Sequence, residues 1–261
     1  MSTMPRMPGI VNGSSYGRRR ALVLVAFALV ALVMATSAAS AYVLLNPPRK
    51  WFSTPRLVHV HSGGSASVVA PDPDKGVTAT LGAVTAWNSG GVNPTSSVAD
   101  TTGIVLGDGR SNLVFNDPIG VCSGSCIAAT FTGYYNTGQQ GTCGSLNVVA
   151  ITDSDVVFNT AYNYQTVAEG SPCSNEIYLE SVVTHEIGHL IGLGHSGNAS
   201  ALMAPTLSYC VNKPLHSDDL AGRNALYNCG GGGGCLPRGA SCNVNSDCCS
   251  NSCRPNRKTC R

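Results

Sequence analysis

Three histidines between positions 185 and 195 constrain this chain more than any other feature. His185 and His189 are four residues apart, so on a helix they lie on one face, where two imidazoles can bind one metal ion. A continuing helix would carry His195 away from that ion. The chain must therefore turn first, and Gly192 can take the positive φ that this turn needs. Glu186 is placed to reach a water on the metal rather than the metal itself.

The ligand set predicts the kind of metal site. Three protein ligands leave one position of a tetrahedral zinc ion open, which is typical of catalytic rather than structural zinc. The sequence therefore predicts one catalytic Zn²⁺ held by His185, His189 and His195. Glu186 is the candidate catalytic residue, as the base that takes a proton from the water.

A methionine segment, residues 201–205, follows the histidines. The histidine run, Ser196 directly after it, and the Met203-x-Pro205 spacing together resemble the matrixin branch of the metzincin zinc peptidases. The resemblance implies that Met203 is a hydrophobic floor beneath the metal and not a ligand. Pro205 stands where other branches carry a tyrosine that can reach the zinc.

Residues 215–227 resemble the last helix of matrixin catalytic domains. Ser217 is a suitable N-cap, and Asp218 and Asp219 would lie in the first turn, where the helix dipole favours anions. The resemblance implies that an aspartate of this pair anchors the domain.

The resemblance implies an α+β fold and an activity. The fold is a metzincin-like catalytic domain over residues 42–229, with a twisted, mostly parallel sheet and three helices. The activity is that of a secreted zinc endopeptidase acting on proteins or peptides, in which Glu186 is the general base for a zinc-activated water. The alternatives are a latent or self-inhibited peptidase, or a binding protein that uses its C-terminal tail on a peptidase scaffold. The intact ligand set with Glu186 favours the enzyme.

The N-terminal segment has the pattern of a secretory signal peptide over residues 1–41. A basic stretch ending at Arg20 precedes the apolar residues 21–35, and small residues precede Tyr42. The apolar run is shorter than the roughly 20 residues of a membrane span, so secretion is expected, with an uncleaved N-terminal anchor as the alternative.

The charge distribution suggests an acidic enzyme body with a basic tail. The chain carries a formal net charge of +2, but residues 1–41 hold four arginines and no acid. Residues 235–261 carry five basic side chains and one acidic side chain. No basic stripe interleaved with aromatic residues indicates nucleic-acid binding. The protein is expected to act as a monomer.

All twelve cysteines lie at or after Cys122, which is consistent with an oxidising compartment. Nearest-neighbour pairing in the body would join the residues in chain order, but six cysteines allow fifteen connectivities and the sequence does not choose among them. The pairs in question are Cys122–Cys126, Cys143–Cys173 and Cys210–Cys229.

Residues 230–234 are five glycines, which predict a flexible linker. Residues 235–261 hold six cysteines in a spacing that resembles inhibitor-cystine-knot miniproteins (knottins), whose small fold depends on disulfides. The binding partner of this tail is unknown from sequence. The resemblance implies the pairs Cys235–Cys249, Cys242–Cys253 and Cys248–Cys260.

Hydrophobic periodicity predicts the remaining elements. Helices are expected over residues 75–87 and 176–193, and strands at 57–61, 103–106, 113–116, 127–134 and 146–151. Residues 154–160 are predicted to form the edge strand that borders the cleft and pairs with substrate. Four aspartates near turns are candidate Ca²⁺ ligands, although their spacing matches no ligand loop. They are Asp108, Asp117, Asp153 and Asp155.

Overall fold

The computed structural model describes residues 41–69, 72–88, 91–100, 103–134, 140–167, 172–229, 253–254, 256 and 259–260. Its strands are β1 Arg49–Lys50, β2 Leu57–His61, β3 Thr95–Ala99, β4 Ser111–Val114, β5 Ala128–Tyr134, β6 Gln140–Cys143, β7 Leu146–Phe158, β8 Tyr164–Gln165, β9 Ile177–Tyr178, β10 Cys253–Arg254 and β11 Thr259–Cys260. Its helices are α1 Val77–Val84, which continues as a 3₁₀ turn over Thr85–Trp87, α2 Leu179–Leu190 and α3 Ser217–Tyr227.

The central sheet is mostly parallel, as the resemblance to the metzincin family implies. Strands β3, β2, β4 and β7 are parallel neighbours in that order, and β1 pairs in parallel with the first half of β7. Strands β5 and β6 pair antiparallel with β7. The part of the chain that the structure describes thus contains a mixed sheet with three helices, which confirms the coarse fold prediction.

Two tryptophans attach the sheet and α1 to α2. The indole of Trp87 is fully buried and donates a hydrogen bond to the Thr184 carbonyl over 2.8 Å, and the Trp51 indole donates to the Leu190 carbonyl over 2.9 Å. Since both acceptors belong to α2, indole packing and indole hydrogen bonds set its position together. The apolar face predicted for this helix is buried, with side chains at most 1% exposed: Leu179, Val182, Val183, Ile187, Leu190 and Ile191.

The predicted edge strand is wrong. Residues 154–158 form the second half of β7, which lies between β4 and β5. The consecutive apolar residues Val156, Val157 and Phe158 are fully buried, because a strand in the middle of a sheet is covered on both faces. The outer strand beside α2 is instead β5, which pairs with β7 alone.

The strand predicted at residues 103–106 is also wrong. Val105 and Leu106 are 63% and 59% exposed, and the segment leads into a turn. The backbone N–H groups of Gly107 and Gly109 donate to the two carboxylate oxygens of Asp153. These bonds satisfy backbone groups of the turn that follows, and residues 103–106 join no sheet ladder.

The N-cap of α3 differs from the predicted Ser217. His216 occupies that position, and its Nδ1 accepts a hydrogen bond from the Asp218 N–H, while the Asp219 carboxylate accepts from the His216 N–H. This is a capping box, in which two otherwise unpaired backbone donors are satisfied reciprocally. An imidazole acceptor replaces the usual hydroxyl, so the preference for serine misplaced the cap by one residue.

Three disulfides link the body of the protein, and one of the three chain-order pairs is correct. Cys122–Cys126 forms as expected, whereas the other four cysteines pair as Cys143–Cys229 and Cys173–Cys210. Chain-order pairing fails because the fold brings β6 against α3. Cys143 and Cys229 are therefore neighbours, although they are 86 residues apart along the chain.

Several predictions lie outside the described residues. These are the signal peptide up to residue 40, the glycine linker and the side chains of the knottin cysteines, so their pairings stay predictions. Within the tail, β10 and β11 pair antiparallel. Among the described residues, no helix has the length and apolarity to cross a membrane.

Asp155 is a buried carboxyl group on β7 that predicts a pH-dependent stability. Its Oδ1 accepts a hydrogen bond from the Asn112 N–H, and its Oδ2 has no hydrogen-bond partner. Burial raises its pKa to about 7, and Asp153 and Asp108 act in the same direction, while the Asn112 N–H and Arg56 oppose the shift. An ordinary aspartate in the unfolded chain titrates near pH 3.9.

Between about pH 4 and 7 the unfolded chain therefore releases this proton while the folded chain keeps it, so stability falls as pH rises. We expect Asp155→Asn to raise the free energy of unfolding by about 1–2 kcal/mol at pH 8 and to change it little at pH 4. Urea unfolding in the presence of a chelator measures this. Asp100→Asn, at an exposed aspartate, is the control. An equal effect at both pH values would contradict the assignment.

Candidate metal centre and cleft

The three predicted histidines converge on one point. His189 Nε2 lies 3.1 Å from His185 Nε2 and 3.2 Å from His195 Nε2. Nitrogen ligands placed tetrahedrally at 2.0–2.1 Å from zinc lie about 3.3–3.4 Å from one another. The three atoms therefore form a group that fits one zinc ion.

Backbone carbonyls hold two of these imidazoles in the form that binds a metal. His185 Nδ1 lies 2.8 Å from the Leu202 carbonyl oxygen, and His189 Nδ1 lies 2.8 Å from the Leu193 carbonyl oxygen. A proton on each Nδ1 donates to that oxygen and leaves the Nε2 lone pair free. Burial lowers the pKa of all three imidazoles, with that of His185 at about 3, which favours the neutral form that metals require.

Gly192 turns the chain between the second and third histidines. Helix α2 ends at Leu190, and Gly192 has a φ of 107°, a conformation that side-chain-bearing residues rarely adopt. A Cβ at this position would lie 2.1 Å from the Arg49 carbonyl oxygen. The glycine is thus needed both for its backbone conformation and for the close approach of the β1 chain.

Glu186 lies beside the histidines with its carboxylate turned toward β5. The side chain is only 5% exposed, and its Oε2 accepts a hydrogen bond of 2.5 Å from the Thr130 hydroxyl. Burial raises the pKa of Glu186 to about 7, and the Thr130 hydrogen bond opposes that shift. A carboxyl group with a pKa near neutrality can both accept and return a proton at physiological pH.

Thr130 is a site residue that the sequence did not predict. No local motif marks it, because its role follows from the antiparallel pairing of β5 with β7, which directs its side chain toward α2. The alternation along β5 was the available signal, since Thr132 lies on the same face and its hydroxyl contacts the His189 carbonyl oxygen at 3.4 Å.

Met203 lies under the histidine helix. It is 2% exposed, and a Cβ added to Gly188 of α2 would lie 2.2 Å from its sulfur. The backbone N–H groups of Leu202 and Met203 donate to the two carboxylate oxygens of Asp219. Asp219 of α3 therefore holds Leu202, and the Leu202 carbonyl holds the imidazole of His185. Through these two contacts α3 supports a metal ligand.

Asp218 holds the segment that follows the third histidine. Its carboxylate accepts hydrogen bonds from the N–H groups of Ala41 and Tyr42 and from the Ser196 hydroxyl. Ser196 directly follows the ligand His195, so this aspartate ties the third histidine to the start of the described chain. The two adjacent aspartates thus hold different segments.

The metal centre opens into a cleft of about 560 Å³. Its lining includes residues 127–130 and Thr132 from the β5 side, and Ala204, Pro205 and Leu207 from the segment after the histidines. His185, Glu186, His189 and His195 also line it. This is a concave site with a few polar groups among apolar ones, as is typical of ligand-binding and active sites.

Among the described residues, the four candidate Ca²⁺ ligands do not form a group of ligand atoms within reach of one ion. Asp153 is occupied by backbone N–H groups of a turn, and Asp117 accepts from the Cys122 N–H. Among the described residues, the other group of metal-ligand atoms within reach of one ion is Cys173, Glu176 and Cys210, and its two cysteines form a disulfide. The structure therefore adds no support for a Ca²⁺ site.

Comparisons with known proteins agree with this site. Residues 129–228 match the family model described as Matrixin. The chain is 58% identical over 50 residues to Metalloendoproteinase 1-MMP of Arabidopsis thaliana, covering 19% of this chain and 14% of that protein. It is 47% identical over 58 residues to Metalloendoproteinase 1 of Glycine max, covering 22% and 19%. It is 48% identical over 52 residues to Matrix metalloproteinase-19 of Homo sapiens, covering 20% and 10%.

The chain thus spans less than a fifth of the length of each of these three relatives. The matched family segment contains β5 from Ala129 onward, α2, the methionine segment and α3, so it includes the three histidines, Glu186 and Thr130. The family match thus falls on the segment that forms the metal centre, and the three relatives are named as metalloendoproteinases or as a matrix metalloproteinase.

Proposed function

We propose that the protein is a secreted zinc endopeptidase in which His185, His189 and His195 hold the metal and Glu186 is the general base. The convergence of the three Nε2 atoms beside a buried carboxylate carries this proposal. When bound, Zn²⁺ supplies a Lewis acid that makes water acidic and polarises a carbonyl group. Three disulfides in the body favour an oxidising compartment and hence secretion.

Glu186 would move the proton that peptide hydrolysis requires. Its carboxylate accepts a proton from the attacking water and then returns it to the amine of the departing peptide. The Thr130 hydroxyl holds the carboxylate at one oxygen during both transfers. The buried surroundings keep bulk water from competing for the same proton.

The outer edge of β5 would bind the substrate main chain. The Asn159 N–H donates to the Ile127 carbonyl, so the hydrogen-bonded pairs of the β5–β7 ladder involve residues 129, 131 and 133 of β5. The main-chain groups of Ala128, Thr130 and Thr132 therefore point away from β7. A peptide added as a strand would meet these groups.

Zinc analysis combined with cleavage of internally quenched peptides tests the function. We expect one zinc per chain, cleavage that a chelator abolishes, and recovery when one equivalent of Zn²⁺ is returned, because a three-histidine site holds the ion reversibly. Mg²⁺ returned in place of Zn²⁺ is the control, since it prefers oxygen ligands. Peptide cleavage that survives complete removal of zinc would overturn the proposal.

A further inference from the structure

Arg49 places a positive charge in the wall of the cleft. Its side chain is 7% exposed and lines the cleft near the C-terminal end of β5. The guanidinium carbon lies 3.8 Å from the centre of the Tyr134 ring, so one face of the cation is covered by the aromatic ring. Among the described residues that line the cleft, Arg49 and Glu186 are the two that carry a formal charge.

The hydrogen bonds of Arg49 leave its charge uncompensated. Its Nε donates to the Pro47 carbonyl, one terminal nitrogen to the Asn46 carbonyl and the other to the Thr132 carbonyl. All three of these acceptors are neutral, and they use three of the five guanidinium N–H groups. The Tyr134 side chain also forms a hydrogen bond with the guanidinium. A carboxylate that arrives with a ligand would supply the missing negative charge through a charge-assisted hydrogen bond.

Arg49 is a buried cation without an anionic partner among its hydrogen-bond acceptors. Burial lowers the pKa of Arg49, and Tyr134 is the group that opposes this effect. A guanidinium nevertheless stays charged in proteins. A buried cation with only neutral acceptors keeps part of its desolvation cost, which a carboxylate arriving with a ligand would offset.

Arg49 lies beside the edge of β5 that would bind the substrate main chain. It donates to the Thr132 carbonyl, which lies on the outer side of β5, where the substrate main chain would run. Thr130 contacts Glu186, and Thr132 lies two residues further along, or about 7 Å. Antiparallel pairing is more stable per residue than parallel pairing, and it directs the N-terminal part of a substrate toward Thr132.

We propose that Arg49 is a specificity-determining residue that binds the carboxylate of an aspartate or glutamate two or three residues before the scissile bond. This inference rests on the proposed function, because it names the substrate class of the same site. It goes beyond that function by assigning acidic peptides as the preferred substrates and by predicting discrimination against lysine at the same positions.

Matched quenched peptides that differ at one position test the assignment. In the first set, glutamate, glutamine or lysine stands two or three residues before the scissile bond. In the second set, the same three residues stand after the scissile bond. At one of the two positions before the bond, we expect kcat/KM for the glutamate peptide to exceed that for the glutamine peptide by about tenfold, and the lysine peptide to have the lowest kcat/KM. The preference for glutamate over glutamine should be smaller in 0.5 M NaCl, because salt screens the attraction between the guanidinium and the carboxylate.

Two variants test whether Arg49 causes the preference for glutamate. In Arg49→Gln the glutamate-to-glutamine ratio should fall to about one, and in Lys50→Gln, the control at the next position of β1, it should persist. If Arg49→Gln does not fold, the ratio in the native protein decides. Cleavage with no preference for glutamate before the scissile bond overturns this inference and leaves the proposed function standing. Failure to cleave any peptide in the zinc-loaded protein overturns both.

Discussion

Replacing Glu186 with glutamine is expected to lower kcat for peptide cleavage by about a thousandfold, the middle of the range for loss of a general base. Glutamine has nearly the same volume and keeps an oxygen that can accept from the Thr130 hydroxyl, so the buried site should remain packed. The amide cannot take a proton from water at neutral pH. Zinc content should stay at one per chain, because Glu186 does not belong to the histidine group.

The measurement is kcat and KM on a quenched peptide, with metal analysis of the same sample. Thr130→Val removes the hydroxyl that holds the carboxylate and should lower kcat by a smaller factor, about tenfold, with KM little changed. Thr130→Ser keeps the hydroxyl and should restore most of the rate. A Glu186→Gln protein that contains zinc and cleaves at the native rate would show that another group is the base.

Replacing Gly192 with alanine is expected to destabilise the protein by about 3–5 kcal/mol and to weaken zinc binding. The added Cβ would meet the Arg49 carbonyl oxygen at 2.1 Å, and φ at this position is 107°. Relief of the clash would move β1 or the turn, and the turn carries His195. Urea unfolding and zinc affinity by competition with a chelator measure the two effects.

Gly144→Ala separates backbone strain from the close approach. Gly144 also has a positive φ, 60°, but a Cβ there would meet nothing within 4 Å. Its replacement should cost only about 1 kcal/mol and leave zinc affinity unchanged. Equal losses for the two variants would mean that the contact with β1 contributes nothing.

Local spacing was sufficient to predict that the three histidines converge. The positions of His185 and His189 follow from helix periodicity. The return of His195 follows from the need to leave the helix, with Gly192 as the residue that permits it. These inferences need only a few neighbouring residues, and short-range geometry is the same in any fold. The helix around them was predictable for the same reason, since its apolar face repeats with the helical period.

The pairing of segments that are distant along the chain could not be predicted from the sequence. The apolar run at the end of β7 fits an edge strand or a central one until its neighbours are known, and that choice decided which strand borders the cleft. Thr130 could not be linked to Glu186 without the position of β5 beside α2. The partner of Cys143 likewise depends on where α3 ends against β6.

The paired aspartates of α3 connect metal affinity to the stability of the whole domain. Asp219 holds the segment that contacts His185, and Asp218 holds the serine that follows His195, so the ligands are arranged only when α3 is docked. By thermodynamic linkage, an ion that binds only this arrangement stabilises the fold, by about 4 kcal/mol when zinc is a thousandfold above its Kd. The same relation works in reverse. A substitution that undocks α3 in a fraction of the molecules, however far it lies from the cleft, weakens the apparent zinc affinity in proportion to the docked fraction that remains. Zinc in the medium then becomes a determinant of the protein's lifetime.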